Sequence, residues 1–264
     1  MDGRLRRKLT RVVRGPYSYD WNLFSRVSPD DVYIMAFPRS GTTWLRCLLA
    51  SYHLESAVTP PLVDETVPDV YRSRQAGKTR TSEFDHMGVF KSHSPYLEFP
   101  ARVIYLVRDG RDALLSFYHY SRKVYEARHG APPAESPSIG SYFLAPTVFG
   151  TWHDHVLGWL DGLERRPAER RLVLRYEDLV ADPRARLAEV IAFLGREVDD
   201  ERIGRAVEWN TKQRLAAAEG RSGGFEYPML TKDHWSTALT PEEVESYERV
   251  AGDALLRMGY MLSS

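Results

Sequence analysis

The stretch FPRSGTTW, Phe37 to Trp44, carries the parts of an anion cradle. Gly41 lets the main chain approach a bound group closely, and Ser40, Thr42 and Thr43 add hydroxyl donors. The amides that open a following helix would point outward without intrahelical partners. Arg39 places a permanent cation before the turn. A nucleoside-triphosphate loop of the form G-x-x-x-x-G-K-[ST] would need a lysine where Thr42 stands and a glycine five residues before Gly41, and it has neither. The group held here is therefore an anion gripped by arginine and backbone. Asp109, after an apolar run, sits where a magnesium carboxylate would, but Arg108 beside it opposes a metal, so no metal site is expected.

These residues need elements to position them. Val32 to Phe37, Arg102 to Val107 and Arg171 to Tyr176 read as buried parallel strands, with the shorter Gly88 to His93 as a fourth. Helical patterns follow the first three, the alternation of a parallel sheet with crossover helices. Trp44, Leu45, Leu48, Leu49 and Tyr52 share one face; Ala113, Leu114 and Phe117 form a stripe after a turn at Asp109-Gly110. Asp182 caps a helix with Pro183 in its first turn, lined by Leu187, Val190, Ile191 and Leu194 and stopped by Gly195, and Thr240 and Glu243 stand at capping-box spacing with Pro241 at the first helical position. The stretches from about Asp64 to Met87 and about Glu126 to Pro146 read as long excursions, either lids over a substrate or plain insertions. Ligands of an open parallel sheet sit beyond the carboxyl ends of its strands, where the first strand runs into Pro38 to Thr43.

Four segments in one order, FPRSGTTW, FKSH, YLVRDGRDALLSFY and RYEDLVADP, resemble the sulfotransferases that use 3′-phosphoadenosine 5′-phosphosulfate, whose loop commonly reads P-K-S-G-T-T-W. The resemblance spans roughly Phe37 to Pro183. It implies a single α/β domain, a central parallel sheet flanked by helices in the P-loop-nucleotide-hydrolase-like sulfotransferase fold, over residues 29–264, with 1–28 as a basic N-terminal segment. It implies that Ser40, Gly41, Thr42 and Thr43 hold the 5′-phosphosulfate with Arg39, that Arg108 and Ser116 hold the 3′-phosphate, and that Trp44, Tyr176 and Trp209 lie beside the adenine. His93 becomes the general base, a role suited to an imidazole that titrates near pH ~6.5, with Lys91 at the sulfuryl oxygens. Arg39 departs from the family's lysine: a guanidinium stabilises charge but cannot give up its proton to the leaving oxygen. The family's closing cation near the C-terminus has no clean match; Arg221, in EGRSGGFEYPMLTKDHW, is assigned that contact, with Lys232 as the alternative.

The implied reaction moves a sulfuryl group in line from 3′-phosphoadenosine 5′-phosphosulfate to a hydroxyl or amine of a small-molecule acceptor, leaving 3′-phosphoadenosine 5′-phosphate, without a metal. A nucleotide-dependent kinase and a non-catalytic adenosine bisphosphate-binding protein are the alternatives. The acceptor is not legible. Tyr17, Tyr19, Phe143 and Phe149 line a pocket for an aromatic, lipid or secondary-metabolite hydroxyl or else belong to the core, and the compact length resembles bacterial members of the family.

Composition sets the outer bounds. The 36 basic and 36 acidic residues balance, which excludes a global pull toward nucleic acid. The single cysteine, Cys47, lies in an apolar helical run and reads as a core residue. No stretch reaches the ~18 apolar residues of a membrane span, and the basic opening MDGRLRRKLTRVVRG lacks the apolar run of a signal peptide, so a cytoplasmic protein is expected. His153 and His155 read as surface residues.

Overall fold

The computed structural model describes residues 27–70, 87–130, 138–147, 149–211, 213–215 and 234–263. Along the chain these form β1 (Val32–Met35), α1 (Thr42–Leu54), α2 (Pro60–Thr66), β2 (Val89–Ser92), β3 (Arg102–Val107), α3 (Gly110–His129) and α4 (Ile139–Leu144). Then come α5 (Trp152–Glu164), β4 (Arg171–Arg175), α6 (Tyr176–Ala181), α7 (Pro183–Phe193), α8 (Asp200–Trp209), α9 (Trp235–Ala238) and α10 (Pro241–Arg257). The described strands make one parallel sheet in the order β2-β1-β3-β4.

Period-two alternation divides the core between the two faces of that sheet. Tyr33, Met35, Phe90, Val103, Tyr105 and Val107 pack on one face against α3, α5 and α10, around the fully buried Trp152, Trp159 and Tyr247. Val32, Ile34, Val89, Ile104 and Leu174 pack on the other against α1, α7 and α8. The chain therefore leaves β1 toward one face and β3, the adjacent strand, toward the other. Their outgoing loops leave toward opposite faces, a switch point of the kind that in open parallel sheets places a ligand crevice at the carboxyl ends of the strands. The single-domain α/β sheet flanked by helices is as the sequence implied, and no described helix is long and apolar enough to cross a membrane.

Local signals translate directly. Asp182 accepts from the Ala185 amide ahead of α7, Gly195 closes it with φ 71°, and Thr240 and Glu243 form both halves of the capping box. Cys47 is a buried free thiol, pushed up to about 12 chiefly by burial.

Several expectations need correction. β1 stops at Met35, β2 is confined to Val89–Ser92, and β4 stops at Arg175 because Tyr176 already begins α6, with Glu177 and Asp178 in its first turn. β4 is not a buried strand: it is the outer member of the described sheet, and Val173 is exposed. Asp109-Gly110 is not a glycine turn, for Asp109 caps α3 and Gly110 is its first residue. A Cβ at Gly110 would fall 2.2 Å from the Tyr247 hydroxyl, so close packing selects glycine there. The excursion from Glu126 is shorter than expected, because α3 continues to His129 and Ser138 caps α4. The one from Asp64 starts inside α2 and reaches Asp69, which bridges to Lys91.

Candidate active site

The crevice is built from the loop after β1 and the start of α3 after β3. Gly41 takes φ 95° as the N-cap of α1, and a Cβ there would lie 2.3 Å from Cδ2 of Tyr176, so both conformation and contact require glycine. Arg39 also adopts a left-handed backbone, φ 68°. That strain at a polar loop beside a strand end is typical of sites that hold a ligand. No side chain caps α1 and its first turn has no acidic residue, whereas a side-chain oxygen accepts from the first-turn amides of α3, α5, α7, α8 and α10. The open amides and the positive end of the helix dipole favour an anion.

Two buried polar atoms point the same way. Ser40 Oγ, in a fully buried residue, and Arg108 Nε have no hydrogen-bond partner among the described residues. Unsatisfied buried donors are costly, and a phosphate-like oxygen would satisfy both. Arg108 lies over the Tyr176 ring at 4.9 Å and donates to the Arg39 carbonyl at 3.3 Å. Arg39 Nε donates to Ser116 Oγ at 3.0 Å, with its guanidinium 5.2 Å from the Tyr120 ring centroid. Arg39, Arg108, Ser116 and Tyr176 thus meet at one place. Trp44 packs edge-on to Tyr176 at 6.3 Å and donates to the Asn210 carbonyl at 2.9 Å, which brings the end of α8 and Trp209, the residue before Asn210, to the same side. Thr42 is buried and Thr43 half-buried on the first turn of α1. Arg221 and Lys232 lie outside the described residues, as do Tyr17 and Tyr19.

His93 stands just past the end of β2. Its Nδ1 is 2.7 Å from the Ala36 carbonyl. A carbonyl only accepts, so Nδ1 carries the proton and Nε2 the lone pair. Burial, then the Lys91 charge, hold the imidazole well below 6.5, so it is neutral at neutral pH. Phe149 packs against its ring at 5.5 Å. Phe143 instead lies in the core against Tyr247, 5.6 Å away.

Some functional neighbours were not read from the sequence. His155 is not on the surface: it is buried, its Nε2–H donates to the His93 carbonyl at 3.3 Å, and its Nδ1 accepts from the Tyr105 hydroxyl at 3.0 Å. Lys91 is buried and ion-paired with Asp69, Nζ to Oδ2 2.8 Å. Asp109 and Asp112, which follow Arg108 in sequence, are engaged by other groups. Asp109 receives Arg111 on both carboxylate oxygens, and Asp112 accepts from the Trp235 amide and faces His234. Asp109 is thereby committed to α3, and no metal-ligand cluster forms among the described residues. Only the period-two spacing of Lys91 and His93 hinted at this grouping; the partners lie far apart in sequence.

The β1 turn and the exit of β3 thus bring an uncapped helix start, Arg39, Arg108 and Ser116 together at the carboxyl ends of the parallel strands, the arrangement of a phosphate-type site. The family model described as "Sulfotransferase domain" matches residues 29–219. The chain belongs to the sulfotransferase family and is a sulfotransferase enzyme. It is 32% identical over 252 residues to 3-alpha-hydroxysteroid sulfotransferase of Cavia porcellus, covering 85% of this chain and 83% of that protein. It is 30% identical over 251 residues to sulfotransferase 2A1 of Homo sapiens, covering 85% and 84%. Among solved structures, mouse sulfotransferase SULT7A1 complexed with PAP superposes with a TM-score of 0.61 at 20% identity, covering 91% of each chain, a likeness of fold.

Proposed function

We propose that this chain transfers the sulfuryl group of 3′-phosphoadenosine 5′-phosphosulfate to a hydroxyl or amine of a small-molecule acceptor by in-line displacement, with residues 29–264 as the catalytic domain behind the basic segment 1–28. One observation carries the reading. Beside the uncapped start of α1 with its orphaned Ser40 hydroxyl, Arg39 gathers Ser116 through its Nε and Arg108 through its carbonyl, while His93 spends its Nδ1 proton on the Ala36 carbonyl. The PAP complex of the mouse sulfotransferase and the hydroxysteroid relative agree with an adenosine bisphosphate and a small hydroxylated acceptor.

In this reading Ser40 to Thr43 and the α1 amides hold the 5′-phosphosulfate, and Arg108 and Ser116 hold the 3′-phosphate. Trp44, Tyr176 and Trp209 serve the base, and Arg221 is assigned the closing contact on the 3′-phosphate. His93 Nε2 takes the acceptor proton as the new oxygen–sulfur bond forms. The bond from sulfur to the 5′-phosphate oxygen breaks with its electron pair left on that oxygen, where Arg39 and the helix amides stabilise the charge, while Lys91 serves the sulfuryl oxygens. Phe149, beside His93, offers an apolar wall to the acceptor. Fixed cations supply the charge stabilisation that a metal would otherwise give.

The kinase alternative loses its magnesium carboxylate to the Asp109–Arg111 pair. A thermal-shift comparison of adenosine 3′,5′-bisphosphate with ATP and magnesium, followed by transfer of labelled sulfate to a panel of phenols and steroids, tests the assignment. Stabilisation by ATP with magnesium alone would overturn it, and nucleotide binding with no transfer would leave only a binding protein.

A further inference from the structure

Lys91 is held before any ligand arrives. Its ammonium and the Asp69 carboxylate are 2.8 Å apart, with side chains 6% and 9% exposed. Asp69 lies on the segment after α2, which runs beside β2 as a parallel bridge, the Lys91 amide donating to the Pro68 carbonyl at 2.8 Å. From α1, the buried Arg46 ties the same segment down: its Nε donates to the Val67 carbonyl at 2.7 Å and its guanidinium meets Asp64 at 2.5 Å. Asp69 is thus fixed from two sides and aimed at the lysine.

Electrostatics give that placement a purpose. Burial alone would raise the Asp69 carboxyl, but Lys91, Arg46 and His93 outweigh it and keep the group well below the usual carboxylate range, hence ionised. Lys91 and His93 lie two residues apart at one strand end. A proton arriving on His93 makes a second cation beside the first, and burial strengthens the repulsion. The charged and titratable groups around His93 are Lys91 on its own strand, Asp69 on the neighbouring segment, and His155 on α5, with Arg46 of α1 acting on Asp69. Asp69 is the anion in that set.

We propose that Asp69 is a positioning residue for sulfuryl transfer: it fixes Lys91 at the carboxyl end of β2 and offsets its charge, so that Lys91 meets the sulfuryl oxygens from one direction and His93 can take up a proton beside it. This role rests on the sulfuryl-transfer function proposed for the site. It distinguishes Asp69 from a merely structural ion pair, whose loss would lower stability without reaching the chemistry.

The test compares wild type, Asp69→Asn, Lys91→Met and the double variant. Rates of labelled-sulfate transfer from 3′-phosphoadenosine 5′-phosphosulfate to 4-nitrophenol or to water are measured across pH, with adenosine 3′,5′-bisphosphate affinity by calorimetry. Asp69→Asn should lower kcat about tenfold or more while donor KM and bisphosphate affinity stay within about threefold. The acid limb of its rate profile should move to lower pH, because His93 loses its neighbouring anion. On the pH plateau, where His93 is neutral in every variant, the double variant should be no slower than Lys91→Met, since there Asp69 acts through Lys91. Wild-type kcat and pH profile in Asp69→Asn, or plateau losses that multiply in the double variant, would overturn the proposal. Should Asp69→Asn not fold, Asp69→Glu keeps the charge but displaces it by one methylene, and unchanged kcat there overturns it equally. Wild type that binds the bisphosphate but transfers sulfate to neither probe removes the transfer function and this inference together; wild-type turnover with an unaffected Asp69 variant removes this inference alone.

Discussion

Acidification should destabilise this protein partly through His155, and one substitution should remove that part. Burial against Tyr105 and the His93 carbonyl lowers the His155 imidazole from 6.5 to about 4, against the smaller opposing pull of the His93 and Ser94 main chain. Above 6.5 the ring is neutral in both folded and unfolded chains, and the full stability is present. Between 6.5 and about 4 the unfolded chain binds a proton that the folded chain refuses, so stability falls as pH falls. The loss is about 1.36 kcal/mol for each pH unit, about 3 kcal/mol over the whole window. His155→Gln can preserve both hydrogen bonds, its amide donating to the His93 carbonyl and its oxygen accepting from Tyr105, without a titrating group. Urea unfolding at about pH 7, 6 and 5 provides the measurement: by pH 5 wild type should lose about 2 kcal/mol more than the variant relative to pH 7. Equal losses in the two proteins would refute the claim that burial holds this ring neutral.

Three further outcomes follow from the crevice. Gly41→Ala must carry a side chain at φ 95° and push against Tyr176 2.3 Å away, so it should lose about 1–3 kcal/mol in urea unfolding together with nucleotide affinity; a variant matching wild type in both contradicts the cradle. Arg108→Ala should weaken adenosine 3′,5′-bisphosphate by about tenfold or more in calorimetry and leave adenosine 5′-phosphate nearly unchanged, and equal effects on the two would remove the 3′-phosphate assignment. Arg39→Lys should retain turnover because charge suffices at that position, whereas Arg39→Ala should lose most of it, a contrast that initial rates with labelled donor decide.

Much of the architecture was legible because it is written in short-range chemistry. Apolar runs marked the strands, Asp182-Pro183 and the Thr240–Glu243 box marked helix starts, and the glycine-threonine turn marked where an anion would sit. Element ends were less legible. Tyr176 continues an apolar run yet starts a helix, with its ring packed against Gly41, and Gly110 looked like a turn although it is a contact point for Tyr247. His155 looked like one of two surface histidines because nothing nearby in the chain tells that its partners are Tyr105 and the His93 carbonyl.

By itself, then, the amino-acid order determined the kind of protein: a parallel α/β sheet, a phosphate-type cradle after its first strand, and the types of side chain the chemistry would need. Those properties depend on residues within a turn or two of one another. Tertiary structure alone decided the working state of the groups. It protonated Nδ1 of His93 by bringing Ala36 alongside, committed Asp109 to Arg111, and set Asp69 against Lys91. Charge and proton placement depend on distances of a few ångströms between segments separated along the chain, and only the folded packing sets those distances.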